Sequence, residues 1–286
     1  GGRNLEEAGV RILFTSSEMA VVGLTEVVSR LATITRAYLS LKRILRTDQP
    51  ALLILMDYPD FNLRLARAAK RYRVPVLYYI SPQVWAWRKG RVETIRRYVD
   101  RMAVVLPFEE NFYRERALPV EFVGHPLLEE IPTELDRDRV RMELGLHQAG
   151  PVIALLPGSR KEEVINLLPL MLEAAEKLLS RYSRLKCLLP RAPTIPAELI
   201  EGLLKKCSLD VQVISGDVYR VLKACDVALV ASGTATLEAA ILEAPMIIVY
   251  RVSFLSYWIG RMVIRIPFIG LVNLVSGERV VPELIQ

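Results

Sequence analysis

One short stretch constrains the fold of this chain more than any other: Val152–Val164, with the sequence VIALLPGSRKEEV. Its apolar start is typical of a buried strand, which Gly158 and the proline before it interrupt. Ser159 then occupies a favourable N-cap position, with Glu162 three residues later, so the stretch predicts a strand, a tight turn and a helix start. Free amides at a helix start bind anions, and the guanidinium of Arg160 suits a phosphate. An ordinary capped helix is the alternative.

A second turn of this kind follows an apolar run, Val227–Val230, that predicts another buried strand. Three small residues, Ser232, Gly233 and Thr234, open the next helix, which carries Glu238 in its early turns. Backbone amides in such a turn suit a diphosphate, and Glu238 is placed to reach ribose hydroxyls. The two turns therefore predict a nucleotide-binding half of the chain.

Strand and helix patterns alternate along the whole chain, which predicts an α/β fold with parallel sheets flanked by helices. In the first half, the apolar run Ala51–Met56 is typical of a strand covered on both faces, and it delivers Asp57 to the sheet edge where α/β proteins place ligands. We expect a first domain over 1–130, a charged, proline-containing linker over 131–150, and a second domain over 151–286.

Composition limits the classes of function that this chain can have. The net charge of +6 fits an acidic partner, such as nucleic acid, an anionic membrane surface or a phosphorylated substrate, or else an inert basic surface. Three widely spaced cysteines favour a reducing, cytoplasmic setting. There is no histidine cluster, Walker motif or G-x-S-x-G elbow, so neither a metal nor another cofactor is expected. Arg261 and Arg265 interrupt the most apolar stretch, Phe254–Val275, which argues against a membrane-spanning helix.

A basic amphipathic helix is predicted over Met19–Arg46, and its apolar positions include Val27, Val28 and Leu31. Such a helix either packs on its own core or lies on an anionic bilayer. The membrane alternative would place these three side chains at the bilayer surface.

Aromatic and basic residues follow the next predicted strand, where Trp85 and Trp87 precede Arg88. This combination suits sugar stacking or an interfacial anchor, although tryptophans at the edge of a core are the ordinary alternative. Further along, His125 is either a pocket residue or a loop histidine.

Several motifs together carry a family resemblance. They are SSEMAVVG at 16–23, DYPDFN at 57–62, SPQVWAWR at 81–88, LPFE at 106–109, GHP at 124–126, LPGSR at 156–160, ASGTATLE at 231–238 and NL at 273–274. In this order, and over essentially the whole chain, they resemble the lipid-A-disaccharide synthase family. That family consists of inverting glycosyltransferases of the GT-B type, with two Rossmann-like domains.

The resemblance implies transfer of a diacylated glucosamine from UDP to the 6-hydroxyl of diacylglucosamine 1-phosphate, with release of UDP. It implies that Asp57 is the base, with Asp60 as the second choice, and a carboxylate at a strand end can take a hydroxyl proton. An N-cap role is the alternative for Asp57. Arg160 and the amides of the two turns would stabilise the departing diphosphate without a metal. The resemblance also implies that Asn273 binds UDP.

The resemblance also implies contacts with acylated substrates. It favours a protein peripheral to the cytoplasmic face of the inner membrane, with Val27, Val28, Leu31 and the tryptophan segment on the acceptor or membrane side. A glycine-rich G-E-x-S-G-D loop would lie before Gly1, and closing helices that support a homodimer would follow Gln286. We therefore expect a fragment with an incomplete first domain, whose last residues, Pro282–Gln286, open a helix.

Two alternatives remain at this point. One is another UDP-sugar enzyme of the GT-B fold, such as a UDP-N-acetylglucosamine epimerase or a peptidoglycan transferase, which would be expected to lack the tryptophan-rich block at 85–88. The other is a non-catalytic, membrane-associated protein that binds nucleotides. Assay of both acylated substrates distinguishes these from the transferase.

Overall fold

The computed structural model describes residues 1–15, 24–87, 90–132, 134–146, 148–205, 207–252 and 266–285. Predictions for the motif at 16–23, for Arg88, and for Arg261 and Arg265 fall outside these residues, as do those for the side chains of Val27, Val28 and Trp87. The chain divides into two units, Gly1–Gly124 and His125–Gln286.

The first unit contains a parallel sheet with the strand order β1-β2-β3-β4. Its elements are α1 (Arg3–Glu7), α2 (Leu24–Thr47), β1 (Leu53–Met56), α3 (Pro59–Arg71), β2 (Val76–Tyr79), α4 (Val84–Trp87), α5 (Arg91–Tyr98), β3 (Arg101–Val104), α6 (Pro107–Arg114) and β4 (Val120–Phe122). Pro59 starts α3 without cost, because the first helical residue has no intrahelical partner for an N–H. Alanines on the buried face of α3, among them Ala66 and Ala69, let this helix approach the sheet closely.

The second unit contains a six-stranded parallel sheet with the order β10-β9-β8-β5-β6-β7. Its elements are α7 (Leu127–Glu130), α8 (Arg137–Glu143), β5 (Val152–Leu156), α9 (Lys161–Glu176), β6 (Lys186–Arg191), α10 (Ala197–Leu204), β7 (Val211–Ser215), α11 (Val218–Ala224), β8 (Val227–Ala231), α12 (Ala235–Ile241), β9 (Met246–Tyr250), α13 (Leu271–Ser276) and β10 (Glu283–Ile285). All residues of β5 are buried, and alternate side chains enter different core clusters. The continuous apolar run is thus a strand covered on both faces, as predicted.

The structure assigns residues 125–150 to the second unit, in place of the separate linker over 131–150 expected from composition. Ile131, Val140 and Leu146 are each at most 3% exposed and belong to the core cluster of β5. Arg137 and Arg141 also pair with Asp226, at 2.5 Å and 3.3 Å. The segment has too few apolar residues for a core of its own, but enough to cover one face of the neighbouring sheet.

The end of the described chain forms a strand rather than the predicted helix start. Glu283, Leu284 and Ile285 pair in parallel with β9. A proline followed by a glutamate is common in the first turn of a helix, which explains the prediction. The exposed edge of β9 offers unpaired backbone groups, and pairing with them takes precedence over this local preference.

Candidate active site

Strand order creates a crevice in the second sheet. From β5, the chain runs through β6 and β7 to one side, whereas β8, β9 and β10 lie on the other. Strands β5 and β8 are therefore neighbours, with Leu156 opposite Val230. Connections that leave two adjacent strands in opposite directions open a ligand crevice at the carboxyl ends of these strands. The two turns predicted to bind phosphate follow these two strands, so the structure brings them together.

The turn after β5 depends on a glycine. Gly158 has φ +108°, and a Cβ at this position would lie 3.0 Å from the Cβ of Glu163. Glu163 accepts hydrogen bonds from the backbone N–H of Arg160 at 3.3 Å and from its Nη1 at 2.5 Å. The N-cap is therefore Arg160 with Glu163, one residue later than the predicted Ser159 with Glu162, because Glu163 is the glutamate that reaches back over Gly158. The backbone carbonyl of Ser159 accepts from Oγ1 of Thr194 at 2.7 Å.

These contacts define what the first turn offers a ligand. The Arg160 side chain is 74% exposed, so its guanidinium can reach solvent while Glu163 restrains it. The Arg160 amide is already used by Glu163, which leaves fewer amides for an anion than a helix start without a capping carboxylate. The Arg160 guanidinium is therefore the main group with which this turn can bind an anion.

The turn after β8 is supported by hydroxyl groups. Ser232 Oγ donates to the backbone carbonyl of Ile269 at 3.0 Å, and the buried Thr236 donates to the carbonyl of Gly233 at 2.8 Å. Among the described residues, apart from its two neighbours in the chain, no atom lies within 4 Å of where a Cβ of Gly233 would stand, so the space above this glycine is open there. Thr234 is exposed beside it.

Glu238, on the helix that follows, is partly buried. Burial and the nearby Glu130 raise the pKa of this carboxyl above its ordinary value. A carboxyl with a raised pKa in a crevice is suited to hydrogen bonding with hydroxyl groups, as predicted for ribose.

Asn273 has a different role from the predicted contact with UDP. Its side chain is fully buried, with Nδ2 donating to Val281 O and Glu283 Oε1, and Oδ1 accepting from the amides of Val280 and Val281. All four hydrogen-bonding positions of the amide are thus used by the protein. The residue holds the 266–283 region together and is not exposed to a ligand.

Sequence reasoning did not identify Glu283. Its carboxylate accepts from the amides of Ile269 and Gly270, each at 3.0 Å, and Ile269 in turn accepts from Ser232. Because Glu283 lies on the last strand, no local pattern indicates that it supports the turn after β8. Burial of Asn273 and the position of Glu283 make both residues supports of the site.

In the first unit, the site begins with two strained residues. Asp57 and Tyr58 have φ of +47° and +44°, a region that non-glycine residues rarely adopt. The Asp57 carbonyl accepts from Asn62 Nδ2 at 2.5 Å and from Tyr78 Oη at 2.7 Å. Both of these side chains are buried, and burial raises the pKa of Tyr78, which keeps the hydroxyl protonated as a donor.

This geometry separates the two candidate bases. Tyr58, and not Asp57, is the N-cap of α3, so the alternative role of Asp57 is not realised. The Asp57 side chain is exposed beyond the end of β1. Asp60 lies in the first turn of α3, and its carboxylate forms an ion pair with Arg91. The structure therefore leaves Asp57 as the better candidate.

The residues predicted for the acceptor or membrane side lie in different environments. Trp85 is only 7% exposed and donates from Nε1 to Glu109 at 2.9 Å, so it occupies the edge of the core and offers no open stacking surface. Leu31 is 55% exposed on α2. His125 begins the second unit, and its Nδ1 accepts from the amide of Leu127 at 3.2 Å. Partial burial lowers the pKa of His125, which favours this neutral, accepting form.

Two negative findings concern the part of the chain that the structure describes. There, no three histidine, cysteine, aspartate or glutamate residues lie close enough together to hold a metal ion. In the same residues, no helix is both long and apolar enough to cross a bilayer.

The fold resembles that of solved UDP-sugar enzymes. A UDP-GlcNAc 2-epimerase from Neisseria meningitidis, bound to UDP-GlcNAc, superimposes with a TM-score of 0.58 at 14% identity over 96% of this chain and 78% of the other. A UDP-GlcNAc 2-epimerase from Methanocaldococcus jannaschii, in complex with UDP-GlcNAc and UDP, gives 0.55 at 15% identity over 85% and 70%. At these identities the likeness shows the GT-B type fold alone.

Sequence comparison gives the family. A family model described as lipid-A-disaccharide synthetase matches residues 1–286. Lipid-A-disaccharide synthase from Geobacter sulfurreducens is 50% identical over the whole chain, which covers 74% of the relative. The enzyme of that name from Syntrophus aciditrophicus is 51% identical, again over the whole chain and 75% of the relative. The two-unit α/β fold, the paired turns and these matches together show that the chain belongs to the lipid-A-disaccharide synthase family.

Proposed function

We propose that this chain, a glycosyltransferase of lipid A biosynthesis, transfers 2,3-diacylglucosamine from UDP to the 6-hydroxyl of 2,3-diacylglucosamine 1-phosphate. The products are the lipid A disaccharide 1-phosphate and UDP. The observation that carries this proposal is the pair of turns at the switch point of the second sheet, one with Arg160 and one with Gly233. A guanidinium beside an open glycine turn suits a nucleoside diphosphate.

In the proposed step, the acceptor oxygen attacks the anomeric carbon of the donor while the Asp57 carboxylate takes the hydroxyl proton. The bond between the anomeric carbon and the diphosphate oxygen breaks, and its electron pair leaves with UDP, so the anomeric configuration inverts. Asp57 ends the step protonated. Its backbone is held by Asn62 and Tyr78, which supports a base whose position does not change during the reaction.

Arg160 and the amides of the turn at 232–234 would stabilise the negative charge that develops on the leaving diphosphate. Gly158, Ser159, Ser232 and Thr234 shape these turns, and Glu238 would bind the ribose. This arrangement supplies the electrostatic stabilisation from groups of the protein itself.

The basic test mixes the purified protein with both acylated substrates and follows UDP and the disaccharide by mass spectrometry. UDP release that depends on the acceptor is expected. Absence of UDP release by the unaltered protein would disprove the transfer reaction, and unchanged release by Asp57→Ala would disprove the assignment of the base.

We further propose that the first unit faces the anionic surface of the inner membrane from the cytoplasm. Residues 1–124 contain 20 Lys and Arg against 13 Asp and Glu, a net charge of +7, whereas residues 125–286 contain 18 against 19, a net charge of −1. All of the positive excess therefore belongs to the first unit. Such a charge attracts anionic lipid headgroups and the phosphate of the acceptor.

Helix α2 supports this orientation. An open groove along it combines apolar and basic side chains: Leu31, Ala32, Thr35, Arg36, Leu39, Ser40 and Arg43. Leu31 and Leu39 are 55% and 57% exposed. This combination is typical of a helix at a bilayer surface. Homodimer formation, which the family resemblance implies, stays a prediction that sedimentation velocity would test.

Liposome flotation tests the membrane proposal. Replacing Leu31 and Leu39 by serine should reduce binding to anionic vesicles, because two apolar anchors are lost. A matched control is Leu128→Ser, since Leu128 is 61% exposed but lies in the second unit. Equal flotation of the double variant and the control would contradict the proposed orientation.

A further inference from the structure

One peptide unit in the turn after β5 is held at both of its ends. The Ser159 carbonyl accepts from Oγ1 of Thr194 at 2.7 Å, and the amide of Arg160, on the same peptide bond, donates to Oε2 of Glu163 at 3.3 Å. Thr194 lies in the loop that follows β6, 35 residues further along the chain. Because a peptide unit is planar, it cannot rotate without breaking both of these hydrogen bonds.

The loop that carries Thr194 is itself fixed by Arg191, the last residue of β6. Its Nη1 donates to the carbonyl of Ile195 at 2.6 Å, and its Nη2 donates to Oγ of Ser215 at 3.1 Å. Ser215 stands opposite Arg191 in the register of β6 and β7, and Ile195 is 2% exposed in the core. The guanidinium therefore ties the loop at 192–195 to the end of the sheet and holds the backbone that presents Thr194.

The bond between Thr194 and Ser159 contributes little to folding by itself. Both residues are exposed, so in the unfolded chain the hydroxyl and the carbonyl bond to water, and the net gain on pairing is small. What the bond determines is the direction of the carbonyl. Gly158, just before it at φ +108°, has no side chain that would restrict the turn in another way.

This direction matters in a turn that binds an anion. A backbone N–H attracts negative charge and a carbonyl oxygen repels it. In the strand order, β6 and β8 lie on opposite sides of β5, and the crevice opens between β5 and β8. A Ser159 carbonyl that points to the loop after β6 therefore points away from the crevice.

We propose that Thr194 is a positioning residue for the diphosphate of UDP. Its hydroxyl turns the Ser159 carbonyl away from the crevice and keeps Arg160 directed at the diphosphate, while Arg191 holds Thr194 in place. The inference rests on the proposed transfer reaction for the identity of the nucleotide.

Binding measurements test the proposal without turnover. Thr194→Val removes the hydroxyl and keeps the shape of the side chain, so calorimetric titration should show roughly fivefold weaker UDP binding, the usual effect of one hydrogen bond. Uridine lacks the diphosphate, and its affinity, measured by ligand-observed NMR, should stay within about twofold. Thr194→Ser keeps a hydroxyl and should restore the affinity for UDP. The matched control is Thr47→Val, which removes another exposed hydroxyl that donates to a backbone carbonyl, in the first unit.

A double variant tests the role of Arg191. Arg191→Met should weaken UDP binding by a similar factor, because Thr194 is then presented by a loop that is no longer tied to the sheet. If Arg191 acts through Thr194, the combined Arg191→Met and Thr194→Val variant should bind UDP about as tightly as Arg191→Met alone. Independent roles would multiply the two losses to about 25-fold and would contradict this link.

The outcomes separate the inference from the function. Unchanged UDP affinity in Thr194→Val, an equal loss of UDP and uridine affinity, or no recovery in Thr194→Ser would overturn the positioning role. Retained uridine binding shows that a variant is folded. Absence of UDP binding by the unaltered protein would overturn both proposals. A protein whose UDP affinity depends on Thr194 in this way, but which releases no UDP from the acylated substrates, would contradict the transfer reaction and leave the positioning role supported.

Discussion

The two units present ligand-binding loops at the ends of parallel strands, but they build these loops differently. In the second unit, the turns contain glycines, Gly158 and Gly233, and offer the ligand backbone groups and the exposed guanidinium of Arg160. In the first unit, β1 and β2 end in strained non-glycine residues, Asp57 and Ile80. The buried side chains of Asn62 and Tyr78 support Asp57, and a backbone hydrogen bond to Ala103 supports Ile80. Where the backbone binds an anion, glycine is sufficient. Where a side chain must react, glycine is impossible, and polar groups in the core have to maintain the strain.

The first prediction tests whether the first unit supplies the reacting side chain and the second unit binds UDP. Asp57→Asn should lower kcat by about 100- to 10,000-fold, the usual contribution of general base catalysis, with UDP affinity nearly unchanged. Gly233→Val should instead lower the affinity for UDP roughly tenfold, because a side chain would fill the open space above the turn. Single-turnover kinetics and UDP titration measure the two quantities. If each variant changed both quantities equally, the division would be wrong.

A second prediction concerns the glycine that shapes the turn after β5. Gly158→Ala should lower the free energy of unfolding by about 2 to 4 kcal/mol, because alanine is strained at φ +108° and its Cβ would clash with Glu163. Gly202→Ala is the matched control: in helix α10, no described residue outside the helix's own backbone lies within 4 Å of the added Cβ, so this change should stabilise the protein by about 0.5–1 kcal/mol. Urea unfolding measures both, and equal effects would contradict the role given to Gly158.

A third prediction concerns pH and the buried support of the first unit. Because burial raises the pKa of Glu109 to about 6 from 4.5, the folded protein holds a proton that the unfolded chain releases between these values. The stabilising contribution of Glu109 to the free energy of unfolding is fully present below about pH 4.5. It is lost as the pH rises through about 6, and the total loss is roughly 2 kcal/mol. Glu109→Gln should remove this slope from the pH dependence of the unfolding free energy. Glu110→Gln should keep the slope, and a slope in Glu109→Gln equal to that of the unaltered protein would refute the prediction.

The fourth and weakest effect concerns the segment before β5 in the second unit. Asp136 caps α8 by accepting from the amide of Arg139 at 2.7 Å, so Asp136→Ala should cost about 1 kcal/mol of stability. Asp138→Ala, in the first turn of the same helix, should cost only a few tenths of a kcal/mol. Thermal unfolding of the two variants gives the comparison. Equal effects would argue that the segment before β5 does not rely on this cap.

Local sequence patterns predicted most of the fold. Continuous apolar runs correctly located β5 and β8, because a strand covered on both faces must be apolar throughout. The run at Ala51–Met56 also contains a strand, β1, but its Ile54 and Met56 are 58% and 49% exposed and not covered as predicted. Patterns failed where distant contacts decided the outcome. Ile131 and Leu146 have few apolar neighbours in sequence yet pack under β5, and the strand at Glu283 forms only because β9 provides an edge.

The candidate site was predictable in its exposed parts only. Turn residues such as Gly158 and the strand-end Asp57 have recognisable positions in the sequence. Their supports do not, because Tyr78 reaches Asp57 from 21 residues away and Glu109 reaches Trp85 from 24. For the same reason, the tryptophan predicted as a contact surface is an internal anchor. Hydrogen bonds between residues on distant elements of the chain carry no local signature.

The strand order of the second sheet also determines when this unit becomes competent during folding. Strands β5, β6 and β7 are consecutive in sequence and adjacent in space, so they can assemble early through short-range closure. Strand β8 must then insert beside β5, and Asp226, just before it, reaches the amide of Val152 from 74 residues away. The crevice for the nucleotide requires this long-range pairing, which we expect to form later than the local pairing of β5, β6 and β7. Capture of UDP during refolding therefore reports the arrival of β8, and it should lag behind the recovery of helical signal.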